Sequence, residues 1–299
     1  MKKNFLIYGY GEIGKKHCRL LKKCFNSSVY IISARKNKNF YAPEDLKKLK
    51  SIKFHLIIIA NDTNLHLSTL KKIRQYFKST PVLVEKPLLI TKKINNINNN
   101  VFINFNLRVH PVIKKLKILV EKNNFFYCNV ICNSFLPSWR KKNYRRFYSA
   151  SYKRGGGVLY DLSHEFDLIK FLFGKYIILN SSNKKISHLS INSDDYVQAD
   201  GKFDKEKKYF NIMLSYFSRI QKREISLEGT NISIHACLLK NKITIIKKNK
   251  KKIFNYKNFN IETTFKDTYK YILNKKNNLL CNVDDSIFLT NIFKTIKGK

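Results

Sequence analysis

Four groups of residues combine types and spacings that could do chemistry. The first is Gly9-Tyr10-Gly11-Glu12-Ile13-Gly14, a G-x-G-x-x-G that follows an apolar run and opens a helical pattern. In such a turn Gly9 permits the tight bend, Gly11 the close approach of a pyrophosphate, and Gly14 close packing of helix on strand. The phosphates then meet the N–H groups and positive dipole end of the helix. The second is the end of the next apolar run, Ser33-Ala34-Arg35-Lys36, where a site for NAD usually has a carboxylate for the ribose 2′-hydroxyl. Here arginine stands instead, and its planar fork suits a phosphate, so NADP is expected over NAD. The alternative is that Arg35 and Lys36 are two more surface charges. The third is Glu85-Lys86-Pro87 at the end of a later apolar run, placed where ligands bind in open α/β sheets; a solvated loop lysine is the other reading. The fourth is Gly155-Gly156-Gly157, followed by Asp161, His164 and Asp167 at intervals of three. Glycines allow a backbone to approach a ligand. On one continuous helix that spacing would put the aspartates and histidine on one face, where a carboxylate-oriented imidazole is a general acid or base. A helix-end acid beside a half-buried histidine fits the same residues.

The elements that must carry these groups alternate between strand and helix over the first third. Strands are expected at FLIYGYG, Val29–Arg35, HLIIIAND, PVLVEKPL and VFINFNLRVHP, with helices at Ile13–Lys23, from Pro43, and at Thr63–Phe77. This is the pattern of a doubly wound parallel sheet. The remainder reads as a helix at Pro111–Glu121, a strand FFYCNVICNSF, one helix from Val158 to Phe173 stopped by Gly174, and β-rich runs at hairpin spacing from Tyr196 to Phe254. The fold class is therefore α/β: a Rossmann domain over residues 1–107, then an α/β domain over 108–299 built on an open, mainly antiparallel sheet. The closing helix, 284–296, is expected to pack on that sheet or to return to the first domain. The Asn-rich run Asn95–Asn100 is expected to be a loop or a frayed helix end.

Composition limits the alternatives. Formal charge is +39, from 59 basic and 20 acidic residues. A polyanion binder would carry such charge on one face, but here it is mostly lysine and spread along the chain. It accompanies abundant Asn, Ile, Phe and Tyr, residues that share A/T-rich codons. Compositional drift is the favoured explanation, with no specific nucleic-acid partner. Lys247, Lys248, Lys250, Lys251 and Lys252 read as a solvated hairpin edge. No apolar run approaches the ~20 residues that span a bilayer, so no membrane partner is expected. The N-terminus lacks the features of a secretory signal, and a cytoplasmic location follows. Six cysteines without C-x-x-C pairs or zinc spacing should be reduced and mostly buried, with no structural metal.

Taken in order, GYGEIG, the segment Asn61–His66, VLVEKPL, NLRVHP, GGGVLYDLSHEFD and the helix after Asp284-Asp285 resemble the glucose–fructose oxidoreductase, inositol dehydrogenase and rhizopine-catabolism (Gfo/Idh/MocA) family over essentially the whole chain. That resemblance implies an NAD(P)-dependent dehydrogenase or reductase acting on a sugar-like alcohol or ketone. Lys86 would polarise the substrate oxygen, His164 would move its proton, and Asp161 would orient sugar or histidine. Asn61, Thr63 and His66 would form the cofactor-side loop, Glu85 a nicotinamide-ribose contact, and the Lys86–Pro87 peptide would be cis. Arg108 and His110 match the fifth-strand segment near the cleft. The commoner family pattern separates the aspartate from the histidine by four residues, and four back from His164 is Tyr160, which could share the aspartate's role. The segment Trp139-Arg140-Lys-Lys-Asn-Tyr144-Arg145-Arg146 pairs aromatics with arginines, a combination suited to an anionic or nucleotide-linked sugar; a solvated basic loop is equally compatible. By the same resemblance the C-terminal sheet would pack against a second copy of the chain. Two further functions compete: a catalytically inactive NADP-binding sensor or partner protein, and a nucleic-acid binder.

Overall fold

The computed structural model describes residues 2–35, 37–94, 100–141, 143–203 and 207–298. Lys36 and, but for Asn100, the run Asn95–Asn100 lie outside the described residues. The chain divides into two units, Met1–Asn106 with Ile261–Thr290, and Leu107–Asn260 with Asn291–Lys299.

The first unit is built on five parallel strands in the order β2-β1-β3-β4-β5. These are β1 (Lys3–Tyr8), β2 (Ser27–Ile32), β3 (Leu56–Ile59), β4 (Val82–Val84) and β5 (Val101–Ile103). The run LIII of β3 and VLV of β4 are buried at every residue, as strands covered on both faces must be. Helix α1 (Glu12–Cys24) follows β1 and α2 (His66–Tyr76) follows β3. The helix expected from Pro43 is a 3-10 helix, Pro43–Leu49, and Thr63–Leu65 forms a 3-10 turn ahead of α2.

The second unit carries an eight-stranded sheet in the order β13-β12-β11-β10-β6-β9-β8-β7. Its strands are β6 (Phe125–Phe135), β7 (Tyr176–Lys184), β8 (Tyr196–Phe203), β9 (Tyr209–Ser215), β10 (Phe217–Gly229), β11 (Ile232–Cys237), β12 (Lys242–Lys247) and β13 (Lys250–Asn255). All neighbours run antiparallel except β6 with β9. Alternate residues of β6, Cys128, Val130 and Cys132, are buried, with α5 (His164–Phe173) packed on that strand. Helix α3 (Pro111–Lys122) packs on α5. The lysine-rich hairpin lies where expected, with β13 an exposed edge strand.

Two expectations are corrected. Residues 261–290, assigned above to the second domain, group with the first unit. Helix α6 (Glu262–Leu273) packs on α1, Arg19 pairs with Glu262, and Cys281 bridges Ile103 of β5. Helix α7 (Val283–Ile296) belongs to the first unit through Thr290 and to the second from Asn291. The single helix expected over Val158–Phe173 is instead two, α4 (Val158–Asp161) and α5, separated at Leu162–Ser163. Leu162 closes α4 through its N–H to Val158 O, and Ser163 is the N-cap of α5. All six cysteines are free thiols, five of them buried.

Candidate active site

In the first unit the glycine turn after β1 is sterically selected. Gly9 has φ +104°, and a Cβ there would lie 2.5 Å from Asn61 N. A Cβ on Gly14 would lie 2.1 Å from Gly9 O, so α1 rests directly on the turn. A Cβ on Gly11, the N-cap of α1, would meet nothing within 4 Å. Open space therefore adjoins the N-terminus of a 13-residue helix, where N–H groups lack partners and anions are stabilised. Glu12 and Ile13 begin the helix, with Glu12 pointing to solvent and paired with Lys15 at 3.5 Å.

Beyond β2, Ser33 Oγ accepts from Arg35 N (3.1 Å), and Arg35 Nη1 lies 3.4 Å from Tyr10 O, so the exposed guanidinium returns to the glycine turn. Ser33, Arg35, Asn37, Phe40 and Glu44 line a cavity of about 650 Å3. Glu44 was not foreseen there. It arrives because Tyr41 bridges to Ile32, carrying the start of the 3-10 helix back beside the strand end.

At the end of β3, Asn61 Nδ2 donates to Thr69 Oγ1 (2.8 Å), while Asn61 Oδ1 is buried with no hydrogen-bond partner among the described residues. Thr63 is buried. The ring of His66 spans two segments, with Nδ1 2.9 Å from Pro87 O and Nε2 3.1 Å from Asn61 O; burial pushes its pKa down despite both carbonyls. The Lys86–Pro87 peptide is cis, and Lys86 is half-buried. Glu85 Oε1 accepts from His17 Nε2 (2.7 Å) and from Asn104 Nδ2 (2.6 Å), and His17 Nδ1 meets Tyr269 Oη at 2.6 Å. Burial raises the Glu85 pKa, but the hydrogen bonds from His17 and Asn104 and the neighbouring Lys86 charge outweigh it and hold the carboxyl below its usual range. His17, Asn104 and Tyr269 escaped sequence analysis. His17 sits on the buried stripe of α1, and no spacing ties it to residues 68 and 252 positions away. The glycine cradle and the orphaned Asn61 acceptor both fit a dinucleotide.

In the second unit Gly156 and Gly157 are required by the chain itself, and Gly155 lies at φ +78°. A Cβ on Gly156 would lie 2.1 Å from Tyr148 O, and one on Gly157, at φ +119°, 2.2 Å from Asp194 Oδ1. Asp194 then accepts from Val158 N through its carbonyl and from Leu159 N through Oδ2, both at 2.9 Å, holding the first turn of α4. Both oxygens of the buried Asp161 carboxylate are engaged: Tyr148 Oη donates to Oδ1 (2.6 Å) and Tyr216 Oη to Oδ2 (2.5 Å). Burial, and then the charge of Asp161, push the Tyr216 hydroxyl well above its usual pKa. Trp139 packs edge-on against Tyr216 at 5.3 Å.

The single helix expected to carry Asp161, His164 and Asp167 is interrupted at Leu162–Ser163: Asp161 ends α4, while His164 and Asp167 stand three residues apart on α5. The Tyr160 ring lies beneath Lys297 Nζ (3.9 Å) and edge-on to Phe293, and burial pushes its pKa up to about 12. Arg108 is buried, its Nε 2.9 Å from Asp167 Oδ2, so its fork serves an internal ion pair. Arg140 stacks over Phe147 at 4.6 Å, Tyr144 Oη accepts from Ser190 N at 3.1 Å, and Arg145 is exposed. Lys86 belongs to the first unit, Asp161 and His164 to the second.

Comparison with known proteins agrees with this organisation. No curated protein matches the chain in sequence. Among solved structures, UDP-N-acetylglucosamine 3-dehydrogenase GnnA from Acidithiobacillus ferrooxidans is similar with a TM-score of 0.79 at 14% identity, covering 100% of this chain and 97% of that one. A levoglucosan dehydrogenase in complex with NADH and levoglucosan gives 0.81 at 14%, covering 100% and 97%. The super-repressor mutant of Gal80p from Saccharomyces cerevisiae gives 0.80 at 13%, covering 100% and 95%. At such identities the likeness speaks for the fold. The profile of the oxidoreductase family, C-terminal α/β domain (GFO_IDH_MocA_C), matches residues 123–280, more than half of the chain, and the chain therefore belongs to the Gfo/Idh/MocA family of oxidoreductases.

Proposed function

We propose that the protein catalyses NAD(P)-dependent oxidation or reduction of a sugar-like alcohol or ketone, with NADP preferred. The observation that carries this is the glycine cradle: Gly9 and Gly14 exclude a Cβ, while Gly11 opens at the N-terminus of α1. Gly11, Glu12 and Ile13 would hold the pyrophosphate by their backbone, Ser33 and Arg35 the adenosine ribose and its phosphate, and Asn61, Thr63, His66 and Glu85 the nicotinamide side. When bound, the nicotinamide supplies or accepts the hydride. Lys86 donates a hydrogen bond to the substrate oxygen, stabilising charge there, and His164 takes or returns the hydroxyl proton. Asp161, held by two tyrosine hydroxyls, orients the sugar. Trp139, Arg140, Tyr144 and Arg145 are assigned to an anionic or nucleotide-linked part of the substrate. GnnA, similar in fold, bears the name of a UDP-sugar dehydrogenase.

The outward residues of the central strands, Tyr127, Ile131, Tyr209 and Met213, lie among Asp200, Glu224 and Glu228 with Lys202, Lys222 and Arg219, the last over the Phe135 ring at 4.4 Å. On a chain of charge +39 this is a face nearly free of net positive charge, and we assign it to contact with a second copy.

The test is a fluorescence titration with NADPH and NADH of the wild type and Arg35→Ala. NADPH should bind more tightly than NADH, and the substitution should weaken NADPH about tenfold while sparing NADH. Equal affinities in both proteins would remove the NADP preference, and no binding of either nucleotide would overturn the function. Turnover of a sugar or sugar-nucleotide panel, absent in Lys86→Ala, then separates an enzyme from a second reading, a cofactor-binding regulator. That reading is favoured by the likeness to Gal80p and by the helix break between Asp161 and His164.

A further inference from the structure

We propose that His17, braced by Tyr269, is a positioning residue that presents Glu85 to the ribose on the nicotinamide side of the cofactor. The inference rests on the cofactor reading above and adds residues that reading does not use.

His17 has no exposed surface, and its ring is walled by Phe265 at 5.4 Å and Tyr269 at 5.8 Å, both on α6. The ionised Glu85 can only accept, so the proton on the His17 ring must sit on Nε2, 2.7 Å from Glu85 Oε1. Nδ1 lies 2.6 Å from Tyr269 Oη, a hydroxyl that donates to a neutral ring and accepts from a protonated one, so the series from hydroxyl to imidazole to carboxylate is satisfied in either state. Asn104 Nδ2 donates to the same Oε1 at 2.6 Å.

Convergence of two donors on Oε1 has a consequence for the other oxygen. It fixes the carboxylate plane and leaves Oε2 for an outside donor, on a side chain that keeps 12% of its surface exposed. A vicinal diol such as a ribose supplies O–H donors for a carboxylate oriented in this way. A core position that needed only filling would take leucine; four linked polar groups underground are costly unless every member is satisfied and oriented.

The test separates the two ends of the cofactor. NADPH contains the nicotinamide riboside, whereas adenosine 2′,5′-bisphosphate lacks it. In His17→Leu the Kd for NADPH should rise about tenfold while that for the bisphosphate stays within about twofold. His17→Gln, whose amide can donate to Glu85 and accept from Tyr269, should recover most of the loss. Tyr269→Phe, which removes one oxygen from an intact core, should weaken NADPH about threefold and again spare the bisphosphate; it serves if His17→Leu does not fold. Should NADH prove the tighter cofactor, NADH and ADP replace the pair. Parallel weakening of both ligands would mean a merely structural network and overturn the proposal, as would unchanged NADPH affinity in Tyr269→Phe or a His17→Gln no better than His17→Leu. If the wild type binds neither ligand, the cofactor reading itself fails and takes this proposal with it.

Discussion

Acidification should destabilise the second unit through one histidine, and the structure sets the size of the effect. His110 is the N-cap of α3 and is buried. Its Nδ1 accepts from Val112 N at 3.2 Å, its Nε2 faces Asn241 Oδ1 at 3.1 Å, and Phe259 lies edge-on at 4.5 Å. The Asn241 amide cannot turn, because its Nδ2 donates to Phe259 O at 3.2 Å. The imidazole proton is thereby confined to Nε2, and a second proton on Nδ1 would confront the Val112 N–H and undo the cap. Burial, opposed by Asn241 and assisted by the charges of Arg223 and Lys114, pushes the His110 pKa down to about 4. In the unfolded chain the value is near 6.5. As pH falls below 6.5 the unfolded state takes up a proton that the native state refuses. Stability from this group is therefore complete above 6.5, declines as pH falls, and levels off below about 4. A depression of some two to three units corresponds to about 3 kcal/mol. The measurement is urea unfolding at pH 7, 6, 5 and 4.5 for wild type and His110→Asn. Asparagine keeps an acceptor at the cap and cannot titrate. His66, whose pKa is also depressed, titrates in both proteins and cancels in the comparison. The stability advantage of wild type over the variant should shrink by about 2–3 kcal/mol across that range. An advantage constant to within about 0.5 kcal/mol would refute the reasoning, because the cap and the Asn241 contact would then tolerate the protonated ring.

Two further outcomes are expected. Tyr216→Phe removes one of the two hydroxyls on the buried Asp161 carboxylate, so it should cost about 1.5–3 kcal/mol in unfolding free energy and lower kcat on any substrate found; a loss below about 0.5 kcal/mol would mean that water replaces the hydroxyl. Light scattering after size exclusion at moderate salt should give a dimer, dissociated by Ile131→Arg in the outward face of β6; a monomeric wild type would remove that face from the assembly.

What could be read from the chain alone was what acts over a few residues. Gly9 and Gly14 were assigned the roles their surroundings impose, since a left-handed turn and a close helix leave no room for a Cβ. The alternation of strands with helices, and the antiparallel sheet that follows, rest on local periodicity and came through in order. The triple glycine was legible as an exclusion of side chains but not as to what excludes them: Tyr148 O and Asp194 occupy the space reserved for a ligand. A period of three residues likewise assigned Asp161 and His164 to one helix face. Leucine and serine at 162 and 163 are both admissible inside a helix, so nothing in their types announces the break. Arg108 shows the same limit for charge, because only the fold decides that Asp167 claims its fork. His17 is the sharpest case. It sits on the buried stripe of α1, and Tyr269 reaches it from α6, a helix not read from the sequence, in a span assigned there to the other domain. A steric restriction is written where the residue stands. The identity of a polar partner is written in the topology that returns residues 261–290 to the first unit, and the proposed role of Glu85 depends on that return.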